Sequence, residues 1–320
     1  MLFRSSVGAR AAPVDRGDGH GVPLVVGRQP PVARCGVVVQ DTAAVPVLER
    51  RRQLIGGGPV GLTLAMDLAW RGIDVVVAER RPADAPASAK CGQISARSME
   101  VFRRLGLAGK LRAVGLPADY PNDIVSATTM TGIEFSRVSI PARGERGPGA
   151  TGPDTSWATP EHTNRVNQIF FDPVMHAHAR AQPRIRIMNR VEVDAFVQHA
   201  HGVEATARNL DGGGQISFES DYLVGCDGAS SMVRKAIGAE FVGNPAVQRV
   251  QSTCYRAPAL MNKLPGKPAW NYLSLNPRRC GSTMAVDGRE TWITHNFLYR
   301  DRKSTRLNSS HMSVSYAVFC

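Results

Sequence analysis

A chain of 320 residues with 43% hydrophobic content is long enough for a large buried core, in one big domain or two moderate ones. Its formal charge of +12 argues for nucleic acid or an anionic membrane only if concentrated, yet half of the excess lies at the two ends: eight arginines against four acids in residues 1–52, three bases against one acid in 301–320. The rest forms no basic stripe interleaved with aromatics, the six cysteines have no C-x-x-C spacing for a zinc ribbon or disulfide framework and fit a reducing cytoplasm, and no apolar window nears a membrane span of roughly 18 residues.

Met1–Val39 mixes Arg, Gly, Val, Pro and Ala without period, as GC-rich DNA does when read outside its gene, and residues 1–44 are set apart as a doubtful or disordered leader. Next comes AVPVLERRRQLIGGGPVG. A buried parallel strand needs a continuous apolar run, and Glu49–Gln53 interrupts this one. Three consecutive arginines in mid-strand would each cost several kcal/mol, roughly, to desolvate. Either the strand is short or these residues are a local reading error.

Gly56, Gly58 and Gly61 match G-x-G-x-x-G, a tight turn, a close approach for pyrophosphate and a close helix contact in sequence. The following helix is expected to bury Val60, Leu64, Ala65 and Leu68, to begin at Pro59, whose missing N–H costs nothing there, and to end at Gly72. Its free N–H groups and positive dipole end suit an anion. Ile73–Val77 is then a β-branched strand closing on Glu79, about 20 residues on, where a carboxylate can accept both ribose hydroxyls of an adenosine, with Arg80 beside it. A dinucleotide follows from the spacing, and NAD and FAD both remain open at this point.

KCGQISARSMEVFRRLGL starts basic and continues as a helix with Met99, Phe102 and Leu105 inward and Arg103 and Arg104 on a solvated face. RVNQIFFDPVMHAHA reads as another helix, on which His176 and His178 lie two apart, a solvated face rather than an i, i+4 metal pair. From Arg184 the alternation of Val191, Val193 and Phe196, then Val203, Ala205 and Ala207, gives meander strands, with LDGGG as a hairpin turn and His199 and His201 flanking another. Tyr222–Val224 is a strand ending on Gly225-Cys226-Asp227-Gly228. Past Ile237, four further segments, STCYRAPAL, WNYLSLN, GSTMAVDG and ETWITHNFL, read as strands of a second sheet. No G-x-S-x-G nucleophile elbow contains Ser230 or Ser231, and no metal site is found.

The order of these motifs resembles that of the FAD-dependent aromatic hydroxylases, the para-hydroxybenzoate hydroxylase-like flavoprotein monooxygenases, over about Leu54–Arg300. The resemblance implies an α/β fold: a Rossmann-like FAD-binding domain with parallel sheet plus meander over 45–240, interrupted by a substrate-domain insertion at about 117–165, and part of a second β-sheet domain over 241–300. It implies FAD held by Gly56, Gly58, Pro59, Val60, Gly61, Glu79 and Arg80, by Lys90 and Arg97 at the phosphate or ribityl chain, by Gln168 at the flavin chain, and by Asp227 and Gly228, with Arg234 a weaker match. It also implies NADPH or NADH and O2 as co-substrates, a small phenol-type aromatic as substrate, a cytoplasmic enzyme binding neither nucleic acid nor membrane, and a homodimer of the full-length protein. The second sheet is expected to wall a substrate pocket over the flavin ring. No residue is identified as the catalytic base.

A G-D-A-A-H-type loop is expected after Arg300. Instead Asp301–His311 and Ser315–Cys320 can be encoded by common sequencing-adapter DNA, so residues 301–320 are expected to be translated adapter, and these 320 residues to bind FAD weakly and turn over negligibly. Three other readings compete. An NAD-dependent Rossmann oxidoreductase shares the glycine loop and Glu79 but has no need of Gln168 or the D-G strand. A flavin halogenase needs W-x-W-x-I-P, whereas Trp157, Trp270 and Trp292 stand alone, and a nucleic-acid binder needs the charge to survive removal of both ends.

Overall fold

The computed structural model describes residues 47–48, 52–147, 149–155, 158–244 and 249–298. The leader, Glu49–Arg51, Trp157 and the adapter-like tail lie outside the described residues. In chain order the elements are β1 (Val47–Leu48), β2 (Arg52–Ile55), α1 (Pro59–Trp70), β3 (Val75–Glu79), α2 (Ala96–Arg104), α3 (Ala108–Ala113), β4 (Ile124–Ala127), β5 (Glu134–Val138) and α4 (Gln168–Arg180). They continue as β6 (Ile185–Asn189), β7 (Val191–His199), β8 (Gly202–Asn209), β9 (Gln215–Ser220), β10 (Leu223–Gly225), α5 (Met232–Ala236), β11 (Arg249–Arg256), β12 (Asn271–Ser274), β13 (Gly281–Ala285) and β14 (Thr291–Leu298).

The strand VVVAE shows why the first layers form. All five residues of β3 are buried, and side chains alternate across a pleated strand, so its two faces need separate cores. Val75 and Val77 join Leu54, Leu62, Met66, Phe102, Phe171 and Met175 under α1, α2 and α4, while Val76 and Ala78 join Ile55, Val191, Ala205, Ala207 and Phe218. The parallel sheet β10-β2-β3-β6 is thus sandwiched between helices and the meander β7-β8-β9, to which β1 adds a parallel edge. The α/β architecture with parallel sheet plus meander is the one the sequence pattern predicts.

Three details differ. α1 buries Leu62, Ala65, Met66 and Ala69, whereas Val60 is 41% exposed and Leu64 and Leu68 are only half-buried. The cause is Gly61: a Cβ there would stand 2.0 Å from the Gly56 carbonyl oxygen, so the helix is rotated to set Gly61 against the strand turn. β3 begins at Val75 because Gly72, at φ +82°, and Ile73, whose N–H bonds back to the Leu68 carbonyl, still belong to the helix end. The D-G strand is Leu223–Gly225, leaving Tyr222 64% exposed.

β4 and β5, from the connection between α3 and α4, join the late strands in one six-stranded sheet, β11-β14-β13-β12-β4-β5. Its own core contains Tyr120, Val125, Trp270, Tyr272 and Trp292. Among the described residues no helix is long and apolar enough to cross a membrane.

Candidate functional site

β2 ends against the N-terminus of α1 through Gly56-Gly57-Gly58. Gly56 has φ +106°, and a Cβ there would lie 2.4 Å from the Cys226 carbonyl oxygen, so the turn is open only to glycine. At Gly58, the N-cap, a Cβ would meet nothing within 4 Å: the space in front of the helix is clear. Pro59 opens the helix, no side chain caps it and its first turn holds no acid, which leaves backbone donors at Val60 and Gly61 for an anion.

Glu79 closes β3 one strand away. It is 6% exposed, accepts the Gly57 N–H at 2.6 Å, and accepts the Arg81 backbone N–H at 2.9 Å and Nε at 3.1 Å. Arg80 is exposed. The arginine that the acid engages is Arg81, which the sequence pattern does not single out.

The segments around Lys90 and Gln168 run antiparallel: Ile94 and Asn164 exchange backbone hydrogen bonds of 2.8 and 3.0 Å, and the Gln168 N–H donates to the Cys91 carbonyl at 2.9 Å. Asn167 caps α4 by accepting the Ile169 N–H, which sets Gln168 in the first turn. The Gln168 amide donates to Asp172 Oδ2 at 3.1 Å, fixing its orientation. Asp172 is 5% exposed and its Oδ1 has no partner; burial pushes its carboxyl up to about 6, against the pull of Gln168, Arg81 and Lys90. His176, one turn on, is half-buried with an unpartnered Nδ1. Burial, then Arg180 and Arg81, hold its pKa below the ordinary histidine value.

This corrects the solvated face expected for the two histidines, because α4 packs on α3 and α1. His178 is likewise half-buried, its Nδ1 3.1 Å from Lys110 Nζ and its Nε2 3.0 Å from the Leu105 carbonyl oxygen. An i, i+4 Asp-His pair after the glutamine is the signal that marks Asp172 in the sequence. Arg97, by contrast, has a side chain 86% exposed and pairs with Glu100 on its own helix.

The third strand end meets the same corner, with Cys226 N–H bonded to the Ile55 carbonyl at 2.7 Å and β10 paired in parallel with β2. Burial, reinforced by Asp227, pushes the Cys226 thiol up to about 11, so it packs as a neutral side chain. Gly228 takes φ +82°. Asp227 turns its carboxylate to α5, accepting the Ser231 hydroxyl at 2.5 Å and the Met232 N–H at 2.6 Å. Arg234 donates to the Ala229 carbonyl and lies 4.2 Å over the Phe241 ring. Another residue absent from the sequence expectations is Arg165, 8% exposed and stacked 3.7 Å over the Trp270 ring, which ties this region to the six-stranded sheet.

Glycine loop, strand-end acid, glutamine helix and D-G turn therefore meet at one edge of one parallel sheet. Residues 53–314 match the FAD binding domain family. The chain belongs to that family. The matched range takes in the first part of the adapter-like tail. This FAD binding domain is 27% identical over 265 residues to the FAD-dependent monooxygenase apdD of Emericella nidulans, covering 81% of the chain and 42% of the relative. The substrate-free rebeccamycin biosynthetic enzyme RebC superimposes with a TM-score of 0.72 at 31% identity, over 82% of this chain and 49% of RebC. Aklavinone-11 hydroxylase, solved as a ternary complex with FAD and aklavinone, gives 0.69 at 25% identity, over 83% and 48%. The chain thus spans about half the length, or less, of these relatives.

The residues present fit FAD. The uncapped helix start and the clear space at Gly58 suit a pyrophosphate, and the buried Glu79 carboxylate lies beside the loop. Asp172 Oδ1 and His176 Nδ1 are buried polar atoms still without partners on the helix that carries Gln168. Gly56 and Gly61 also meet the packing demands of the fingerprint, Gly56 against the Cys226 carbonyl and Gly61 against the Gly56 carbonyl.

Proposed function

We propose that this chain is the FAD-binding portion, with part of the substrate sheet, of a cytoplasmic monooxygenase that hydroxylates a phenol-type aromatic using NADH or NADPH and O2. The observation that carries the reading is the meeting of four motif segments at one sheet edge, including Gln168 and the D-G turn, which a plain NAD-dependent Rossmann oxidoreductase does not need. Bound FAD supplies the redox chemistry, accepting hydride from the nicotinamide and activating dioxygen. The protein's part is placement. The N–H groups of Val60 and Gly61, behind Gly58 and Pro59, would hold the pyrophosphate, and Glu79 would take the adenosine ribose. Arg80, Lys90 and Arg97 supply positive charge outside the loop, Gln168 reaches the flavin chain through the oxygen that Asp172 leaves free, and Gly56, Asp227 and Gly228 fix the adjoining turns.

The six-stranded sheet is proposed as the wall that excludes water from the aromatic substrate, with Arg165 on Trp270 as its hinge to the FAD layer. A homodimer is proposed for the full-length protein. The test is isotope incorporation. The gene product at the length of its relatives, given NADPH or NADH, a panel of phenols and 18O2, is expected to yield a ring product heavier by one labelled oxygen. Nucleotide oxidation with no labelled product from any phenol would contradict hydroxylation while leaving flavin binding untouched.

A further inference from the structure

A cleft of about 730 Å³ opens between α3 and the β13–β14 hairpin, lined by Arg112, Gly115, Pro117, Arg143, Asp287 and Arg289. None of these residues belongs to the glycine loop, the Glu79 corner, the start of α4 or the Asp227 turn, and its volume is that of a small-molecule site. Three guanidinium groups reach it from three separate segments: α3, the turn after β5, and the hairpin.

The acids of the cleft are committed elsewhere. Asp287 accepts the backbone N–H groups of Arg289, Glu290 and Thr291 at 2.9–3.0 Å and the Thr291 hydroxyl at 2.6 Å, closing the hairpin. Glu290, also in the lining, pairs with Arg256. Arg112 is held in place by Glu161 and by the His162 carbonyl at 3.3 Å. Arg143 is different. It is half-buried and faces no carboxylate partner among the described residues. Burial, and then the positive charge of Arg112, lower its pKa from the ordinary arginine value. A partly desolvated cation set beside a like charge is unfavourable by itself and favourable once an anion lies between the two.

We propose that this cleft is a second ligand site, separate from the flavin constellation, which takes a phosphate or carboxylate group of a small molecule on Arg143, flanked by Arg112 and Arg289. The proposal does not rest on the monooxygenase reading. It is tested by calorimetry on the 320-residue chain at constant ionic strength, with pyrophosphate and citrate as the two probes. Pyrophosphate can also occupy the start of α1, so the deciding quantity is the difference between variants.

Arg143→Gln is expected to weaken one binding event about tenfold or more, as loss of a charge-assisted hydrogen bond does. Arg143→Lys is expected to recover part of it, and Arg208→Gln, on the exposed meander, to change nothing. Loss with pyrophosphate alone assigns a phosphate ligand; loss with citrate assigns a carboxylate. Unchanged isotherms in a folded Arg143→Gln chain, or no isotherm for either anion with the wild type, would overturn the site. Should Arg143→Gln fail to fold, Arg289→Gln on the exposed hairpin takes its place, and equal affinity there would be equally adverse.

Discussion

Gln53 occupies the second position of β2, between Leu223 of β10 and Val76 of β3, and is 1% exposed. Strand alternation puts it on the same face as Ile55, among valines and alanines, and neither its amide oxygen nor its nitrogen finds a partner. An unpaired buried amide costs about 1–3 kcal/mol, so Gln53→Val is expected to raise unfolding stability by about that amount in urea titration. The interruption that the sequence shows at Glu49–Gln53 is therefore felt inside the core at its last residue, while Arg52 escapes the cost at the strand end through an ion pair with Asp221 and the Tyr222 ring. Asp172 gives a second residue-scale prediction. Its folded pKa of about 6 lies above its unfolded value, so the folded state binds the proton more tightly. Stability contributed at this site is present below about pH 4, falls as pH rises to about 6, and stays lost above. Asp172→Asn is expected to remove that fall and to be more stable at pH 7 by on the order of 2 kcal/mol, read from denaturation curves across pH.

At the scale of elements, the β2–α1 junction depends on one missing methyl group. Gly61→Ala would drive a Cβ to 2.0 Å from the Gly56 carbonyl oxygen, a backbone atom that cannot swing aside. A destabilisation of about 1–3 kcal/mol or more is expected, with the glycine loop displaced; a variant melting like wild type would refute this account of the helix phase. The glycine spacing is legible in the sequence because each glycine answers a local steric demand. The helix face is not, because Val60 and Leu64 look inward on a helical wheel until tertiary contact at Gly61 sets the rotation. Gln168 is legible, yet the burial of the Asp172 carboxyl and the His176 ring is not, since only the packing of α4 on α1 and α3 takes them from water. Asp227 shows the opposite limit: its place in the D-G strand is plain from sequence, whereas the turning of its carboxylate to cap α5 depends on where Ser231 and Met232 fall.

Over the whole molecule, a parallel sheet buried on both faces, a meander and a separate six-stranded sheet follow from patterns that sequence carries well: continuous apolar strands, then alternating ones. Less visible is that β4, with β5 beside it, crosses more than a hundred residues to pair with β12, because pairing at that range leaves no local signature. The same holds for Arg165, whose buried stacking on Trp270 joins two parts of the chain far apart in sequence. The central claim is that one edge of the parallel sheet holds FAD in preference to a nicotinamide dinucleotide. Calorimetric titration of the 320-residue chain with FAD and, separately, with NAD+ tests it most directly. Saturable one-to-one binding of FAD, about tenfold or more tighter than NAD+ and lost in Glu79→Ala, is the expected result; tighter binding of NAD+, or FAD binding indifferent to Glu79→Ala, would contradict it.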